Sequence, residues 1–216
     1  EANRCLFCYD APCAIACPTH IDIPKFIKQI STDNVKGSAK TILSANIFGA
    51  SCARICPVEA LCEGSCVHND LHKKPIEIGR LQRYSTDFAA GKGLHTQMFE
   101  RGKPNGKKVA IIGAGPASLS CASYLAMLGY ETTVYDARPK SGGLNSYGIA
   151  EYKMTMETAV KEAEIAQSLG VKIQNGVVVG KDVPLADLEK KHDAVFVGIG
   201  LGKTADLEIP GEDLPG

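Results

Sequence analysis

Cys5-Leu6-Phe7-Cys8-Tyr9-Asp10-Ala11-Pro12-Cys13-Ala14-Ile15-Ala16-Cys17-Pro18 stands almost at the start of the chain, with the spacing C-x2-C-x4-C-x3-C-P. A second quartet follows at Cys52, Cys56, Cys62 and Cys66, so eight of the nine cysteines fall in two tight groups. An iron–sulfur cluster needs thiolates converging from short loops, because backbone turns can then wrap the cube and donate N–H bonds to its sulfurs. Two quartets supply two 4Fe-4S clusters. Structural zinc is the main alternative, but zinc knuckles pair C-x2-C units and only Cys5 and Cys8 have that spacing. A disulfide scaffold is disfavoured in a reducing compartment.

In two-cluster runs of this kind the cysteine before the proline leaves its own run for the other cluster. Cys5, Cys8 and Cys13 then take a fourth ligand from the second quartet, with Cys66 the candidate. Cys17, Cys56 and Cys62 serve the other cluster, whose last position is open to Cys52 or to a non-cysteine ligand. Cys121 reads as a small packing residue. The five histidines have no mutual spacing that suggests a metal site.

Working outward, the cysteines fill residues 1–90 together with short helical patterns. Asp22 and Asn34 are placed to cap two helices, Pro24 suits a first turn, and a third helix is expected from about Ile76 to Ala89 with Ile78, Leu81, Tyr84, Ser85 and Phe88 on one face. Such helices bury little surface, so bound clusters are expected to serve as part of their core. Residues 91–106, rich in glycine and polar side chains, read as a linker. From Lys107 the pattern becomes strand, helix, strand: Lys107–Ile112, Pro116–Leu128 and Glu131–Tyr135. A helix at Thr155–Leu169 and strands at Val171–Gln174 and Ala194–Gly198 follow. The expected fold is an α-helical two-cluster N-terminal domain (1–90) and an incomplete α/β Rossmann-like domain (107–216).

Composition narrows the function further. The 216 residues carry 24 Lys plus Arg against 24 Asp plus Glu, which gives no field to draw nucleic acid or an anionic membrane surface. No apolar run approaches the roughly 20 residues of a membrane span, and no basic-then-apolar leader precedes the cysteines, so the cytoplasm is the expected compartment. The chain starts without methionine, and its last stretch, Glu208 to Gly216, is turn-rich with no closing element. It reads as part of a longer protein.

Val109-Ala110-Ile111-Ile112-Gly113-Ala114-Gly115-Pro116-Ala117-Ser118 sets a glycine turn between a buried strand and a helix, where a pyrophosphate can meet free N–H groups. Ser118 replaces the third glycine of the fingerprint, at some cost to helix–strand packing. Asp136, ending the second strand, is placed to accept from an adenosine ribose hydroxyl. Gly142-Gly143-Leu144 follows closely and can pass beside a flavin, which favours FAD over nicotinamide in this turn.

The order of two cysteine quartets, linker and Gly-Ala-Gly-Pro-Ala turn resembles the flavin and iron–sulfur module shared by glutamate synthase small subunits and dihydropyrimidine dehydrogenases. The Cys5–Pro18 run, Ile21–Ile27, Gly113–Ser118 and Phe196–Leu201 resemble the dihydropyrimidine dehydrogenase branch more closely. That resemblance implies that Gln82 completes the second cluster with Cys17, Cys56 and Cys62, leaving Cys52 as the fallback. On pattern alone Gln82 is an ordinary exposed helix position. The resemblance likewise implies FAD contacts at Gly113, Ala114, Gly115, Pro116, Ala117, Asp136, Gly143, Leu144, Lys153 and Val179. Lys153 stands where the family often has arginine, and Ala150 where it often has proline.

It further implies an NAD(P)-binding domain inserted after the Pro210–Gly216 stretch, and a returning half of the FAD domain. The implied activity is an NAD(P)H-dependent oxidoreductase that passes electrons from FAD through two 4Fe-4S clusters to an FMN-containing subunit or domain that reduces uracil or thymine. The alternatives are a glutamate synthase small (beta) subunit serving its large subunit and, from another class, a zinc-stabilised interaction module on a nucleotide-binding domain. No proton-transfer residue of the pyrimidine chemistry is visible, so no catalytic residue is assigned. Nucleic-acid and membrane partners are not expected, and an oligomer is compatible with the sequence.

Overall fold

The computed structural model describes residues 1–201 and 209–211. Apart from 209–211, the turn-rich end from Glu208 to Gly216 lies outside the described residues.

The first half is helical. A single 3-10 turn at Ala2–Arg4 precedes α1 (Pro12–Ile15), α2 (Ile23–Ser31), α3 (Val35–Ala45), α4 (Gly49–Ile55) and α5 (Ile78–Gly91). Both expected caps are formed: Asp22 accepts from the Lys25 N–H at 3.2 Å and Asn34 from the Gly37 N–H at 2.9 Å. Ile21, Ile23, Phe26, Ile27, Ile42, Ile76 and Ile78 build an apolar core, and Cys5, Cys13, Cys17 and Cys62 border it. Cys66 is itself buried within that core.

The face of α5 departs from the expected one. Ile78, Gln82, Ser85, Thr86 and Ala89 point inward, while Tyr84 is 53% exposed. Small and polar residues let α5 approach α3 and α4 closely, with Ser38 and Ser85 hydroxyls paired at 2.8 Å in the interior. An apolar periodicity could not reveal a buried face built this way.

The second half carries β1 (Lys108–Ile112), α6 (Pro116–Met127), β2 (Glu131–Asp136), α7 (Leu144–Tyr147), α8 (Met156–Ser168), β3 (Lys172–Asn175), α9 (Leu185–Lys191) and β4 (Ala194–Val197). The four strands form one parallel sheet in the order β3-β2-β1-β4. Ile111 pairs with Val134 on one side and Phe196 on the other. Val109, Ala110 and Ile111 are all buried, as expected of a central parallel strand covered on both faces.

Residues 91–106 are packed rather than free. They contain a 3-10 turn at His95–Gln97, whose His95 is buried and meets Glu164 of α8 at 3.1 Å, and Met98 is buried as well. One apolar core runs through both halves, from Ala39, Leu43, Phe48 and Ala89 to Val109, Ile111, Leu119, Val134 and Ile165. Among the described residues no helix is long and apolar enough to cross a membrane.

Candidate functional site

Cys5, Cys8, Cys13 and Cys66 line a single cavity, closed on its inner side by Ile23, Ile27, Ile76 and Ile78. This is the quartet expected from the crossover rule, and it brings Cys66 back to a run that begins some sixty residues earlier. Burial pushes the Cys13 thiol up to about 11, with Cys66 and Cys5 adding to the shift. Cys5 is raised by burial as well, with Cys8 and Cys66 contributing. Such thiols stay protonated unless a metal replaces the proton. Among the described residues no three His, Cys, Asp or Glu side chains close on a single ion-sized point. Phe7, between Cys5 and Cys8, takes a left-handed backbone with φ of 51°, the bend that lets so short a loop wrap around the cavity.

The second group is looser. Burial pushes Cys62 up to about 12, with Glu63 and Cys17 contributing. Cys52 in α4 and Cys56 at its C-cap are neighbours: the Cys52 thiol is raised by Cys56 and by burial, and Cys56 is drawn down to about 7 by Cys52. Gln82 is buried at 7% exposure, against the reading from pattern alone. Its Nε2 donates to the Gly49 carbonyl at 2.8 Å, which leaves Oε1 as the end of the amide able to serve as a ligand.

On the flavin side, the two glycine segments meet. Gly142 N–H donates to the Ala114 carbonyl at 2.8 Å, and a Cβ on Gly143, whose φ is 56°, would sit 2.8 Å from the Gly115 Cα. Glycine is required there by both the bend and the contact. Pro116 opens α6 directly after the turn, and Ala117 is exposed at its first turn. Leu144 is 57% exposed at the start of α7.

Asp136 does more than await a ribose. Its two carboxylate oxygens accept from the Ala114 N–H at 2.5 Å and the Arg138 N–H at 2.7 Å, which fixes the glycine turn to the end of β2. Each oxygen keeps a second lone-pair direction for a hydroxyl. Lys153 lies exposed in the turn before α8, and Val179 pairs with Val183 beyond β3; neither is brought to the Gly113–Ala117 turn by any recorded bond.

Ser118 is accommodated by Gly198. Its hydroxyl donates to the Gly198 carbonyl at 3.2 Å, and a Cβ on Gly198 would lie 2.1 Å from that hydroxyl oxygen. The glycine missing from α6 is supplied by the end of β4, so close packing is preserved.

Residues 96–215 match the family model described as pyridine nucleotide-disulphide oxidoreductase. The chain belongs to that family. Residues 1–94 match the model described as dihydropyrimidine dehydrogenase domain II, 4Fe-4S cluster. An iron–sulfur half is thus joined to the flavin- and pyridine-nucleotide-dependent oxidoreductase half. A Salmonella typhi protein named as a homolog of the NAD-dependent dihydropyrimidine dehydrogenase subunit PreT is 41% identical over 97% of this chain and 50% of its own length. The glutamate synthase [NADPH] small chain of Halomonas elongata is 38% identical over 100% of this chain and 45% of its own. The chain spans about half the length of these curated relatives.

Several residues of this oxidoreductase module escaped the sequence reading. Glu162 of α8 is 4% exposed and reaches into α4, where its Oε1 accepts from the Ala50 and Ser51 N–H groups at 2.8 and 2.9 Å. The Ser51 hydroxyl donates to its Oε2, and Asn145 Nδ2 donates to the same hydroxyl at 2.9 Å. Arg138 lies over the Tyr147 ring at 5.0 Å, and the Tyr147 hydroxyl accepts from Lys140 N–H at 2.9 Å, which shapes the loop between β2 and α7. A glutamate between the alanines of an otherwise apolar helix face was the one available signal for Glu162.

Proposed function

We propose that this chain is the electron-transfer part of a cytoplasmic NAD(P)H-oxidising flavin and iron–sulfur oxidoreductase, delivering electrons to a partner site that reduces uracil or thymine. The observation that carries the reading is the Cys5, Cys8, Cys13 and Cys66 cavity, found in the same chain as the strand–turn–helix at Gly113–Ala117. In this reading Cys5, Cys8, Cys13 and Cys66 hold one 4Fe-4S cluster, and Cys17, Cys56, Cys62 and Gln82 hold another. Gly113 to Ala117, Asp136, the Gly143-Leu144 turn, Lys153 and Val179 hold FAD.

When bound, the flavin converts a hydride's two electrons into single electrons and the clusters carry them one at a time. The chain's own work is placement. The N–H groups at the start of α6 meet the pyrophosphate charge, Asp136 keeps the glycine turn at the sheet edge, and the apolar wall of Ile23, Ile27, Ile76 and Ile78 keeps water from the first cluster. The pyrimidine branch is supported by the relatives named as dihydropyrimidine dehydrogenase subunits. A glutamate synthase small subunit is the second reading, supported by a relative of nearly equal identity that covers the whole chain.

The test is anaerobic purification of the full-length protein with iron and sulfide analysis, followed by addition of NADH or NADPH and of each partner. About eight irons per chain are expected from two four-iron clusters. Dihydrouracil formation with the FMN-containing partner supports the first reading, and glutamate formation with the large subunit replaces it with the second. A colourless protein holding zinc instead of iron ends both.

A further inference from the structure

The two cofactor regions are joined by a buried polar relay that none of their expected ligands belongs to. α4 carries Cys52 and Cys56 in its middle and at its end, and the first N–H groups of any helix lack partners within it. Here those of Ala50 and Ser51 are capped by Glu162, more than one hundred residues away on α8. Ser51, the residue before Cys52, then accepts at its hydroxyl from Asn145, in the first turn after Gly142-Gly143-Leu144. All three side chains are buried. Met154 adds its sulfur at 3.2 Å from the Ser51 hydroxyl.

We propose that Glu162, Ser51 and Asn145 form a positioning device that fixes the cysteine-bearing helix α4 against the flavin turn. The inference rests on the reading given under Proposed function. Glu162 is accordingly a positioning residue for electron passage between the two halves, although it touches neither a candidate cluster ligand's sulfur nor the glycine turn. A single carboxylate gathers three donors from one helix, so its loss frees the start of α4 at once. With flavin and clusters bound, the step it serves would balance simply: a hydride from the nicotinamide would reduce the flavin, and the reduced flavin would then give one electron to each cluster and release its proton to solvent. Misplacement by about 1 Å in a fixed donor–acceptor arrangement lowers rates by orders of magnitude.

The test uses the full-length holoprotein prepared without oxygen. Amide hydrogen exchange is measured over the Gly49–Ile55 segment, and rapid-freeze EPR follows cluster reduction after mixing with NADH or NADPH while absorbance follows flavin bleaching. In Glu162→Ala, exchange in that segment and cluster reduction should change by about tenfold or more in opposite senses, faster exchange and slower reduction, with flavin bleaching and iron content unchanged. Glu162→Gln keeps an oxygen acceptor for both N–H groups and a donor for Ser51, so both readouts should return to wild type. His95→Ala removes a polar contact between the 91–106 segment and α8 and should leave cluster reduction unchanged. If Glu162→Ala loses iron, Asn145→Ala carries the test, with slowed cluster reduction at full iron as the expected result. Wild-type reduction rates in Glu162→Ala or, where that variant loses iron, in Asn145→Ala would overturn the inference and leave the flavin-to-cluster reading standing. Wild-type clusters that never accept electrons from the reduced flavin would overturn the reading itself, and this inference with it.

Discussion

Asn46 Nδ2 donates to the Cys52 sulfur at 3.0 Å, and Asn46 Oδ1 accepts from the Phe48 N–H at 2.9 Å. Cys52 is therefore held by Asn46, which itself caps the chain entering α4, and lies beside Cys56 one turn on.

The first prediction concerns this thiol. Cys52→Ala should retain the full iron complement, about eight per chain, whereas Gln82→Ala should alter the EPR signal of one cluster and leave the other intact. Iron analysis and EPR of the two variants check it. Half the iron lost in Cys52→Ala, with an unaltered spectrum in Gln82→Ala, would return Cys52 to the ligand set.

Gly143→Ala should abolish flavin retention while sparing iron. The new Cβ meets the Gly115 backbone at 2.8 Å, and the φ of 56° is strained for any residue that bears one. Flavin absorbance per chain after gel filtration reads the result, with iron content as the control.

Ser118 and Gly198 should behave as a complementary pair. Gly198→Ala drives a methyl group to 2.1 Å from the Ser118 hydroxyl and should destabilise the protein by about 1–3 kcal/mol, the usual cost of overpacking. Adding Ser118→Gly should recover part of that loss, which a double-mutant cycle in denaturant unfolding measures.

These pairs mark where sequence reading reaches and where it stops. The caps at Asp22 and Asn34, the strand–turn–helix at Lys108–Met127 and the four thiols of the first cavity were legible because each is set by spacing of a few residues or by a known crossover. The inward turn of Gln82, the Ser118–Gly198 exchange and the Glu162 relay were not. Each depends on partners tens of residues away, and each hides a polar or missing side chain in the interior, where apolar periodicity gives no signal. The Asp136 carboxylate lies between these cases: its position at the end of β2 was readable, but its two backbone bonds were not.

Glu162 also sets a pH dependence. Burial raises its carboxyl to about 7 from the ordinary 4.5, against the bonds from Ser51 and Ala50 and the nearby charge of Arg54, which pull it down. The folded protein thus holds a proton that the unfolded chain releases between those two values. The contribution is complete below about pH 4.5 and is lost as the pH rises through about 7. Glu162→Gln, which cannot ionise, should flatten the stability profile across that window. Denaturant titrations at pH 5, 6, 7 and 8 should show wild type losing stability relative to the variant, and parallel profiles would place the carboxyl's titration elsewhere.

Removing iron with a chelator should lower the helical signal of residues 1–90 and lower the unfolding midpoint of the whole chain as well. Circular dichroism and calorimetry before and after chelation provide the comparison. A second, unshifted transition would mean that the parallel sheet stands alone.

The apolar core that crosses from α3 and α5 into the sheet gives oxygen a wider target than the clusters themselves. Ala89 belongs to α5, which follows the loop carrying Cys56, Cys62 and Cys66, and it shares that core with Ala39 and Leu43 of α3 and with Ile111 and Ile165. Oxidative loss of iron in one loop would then be felt as softening of the nucleotide half, so the working lifetime of the protein in air is set at its most oxidisable cysteine.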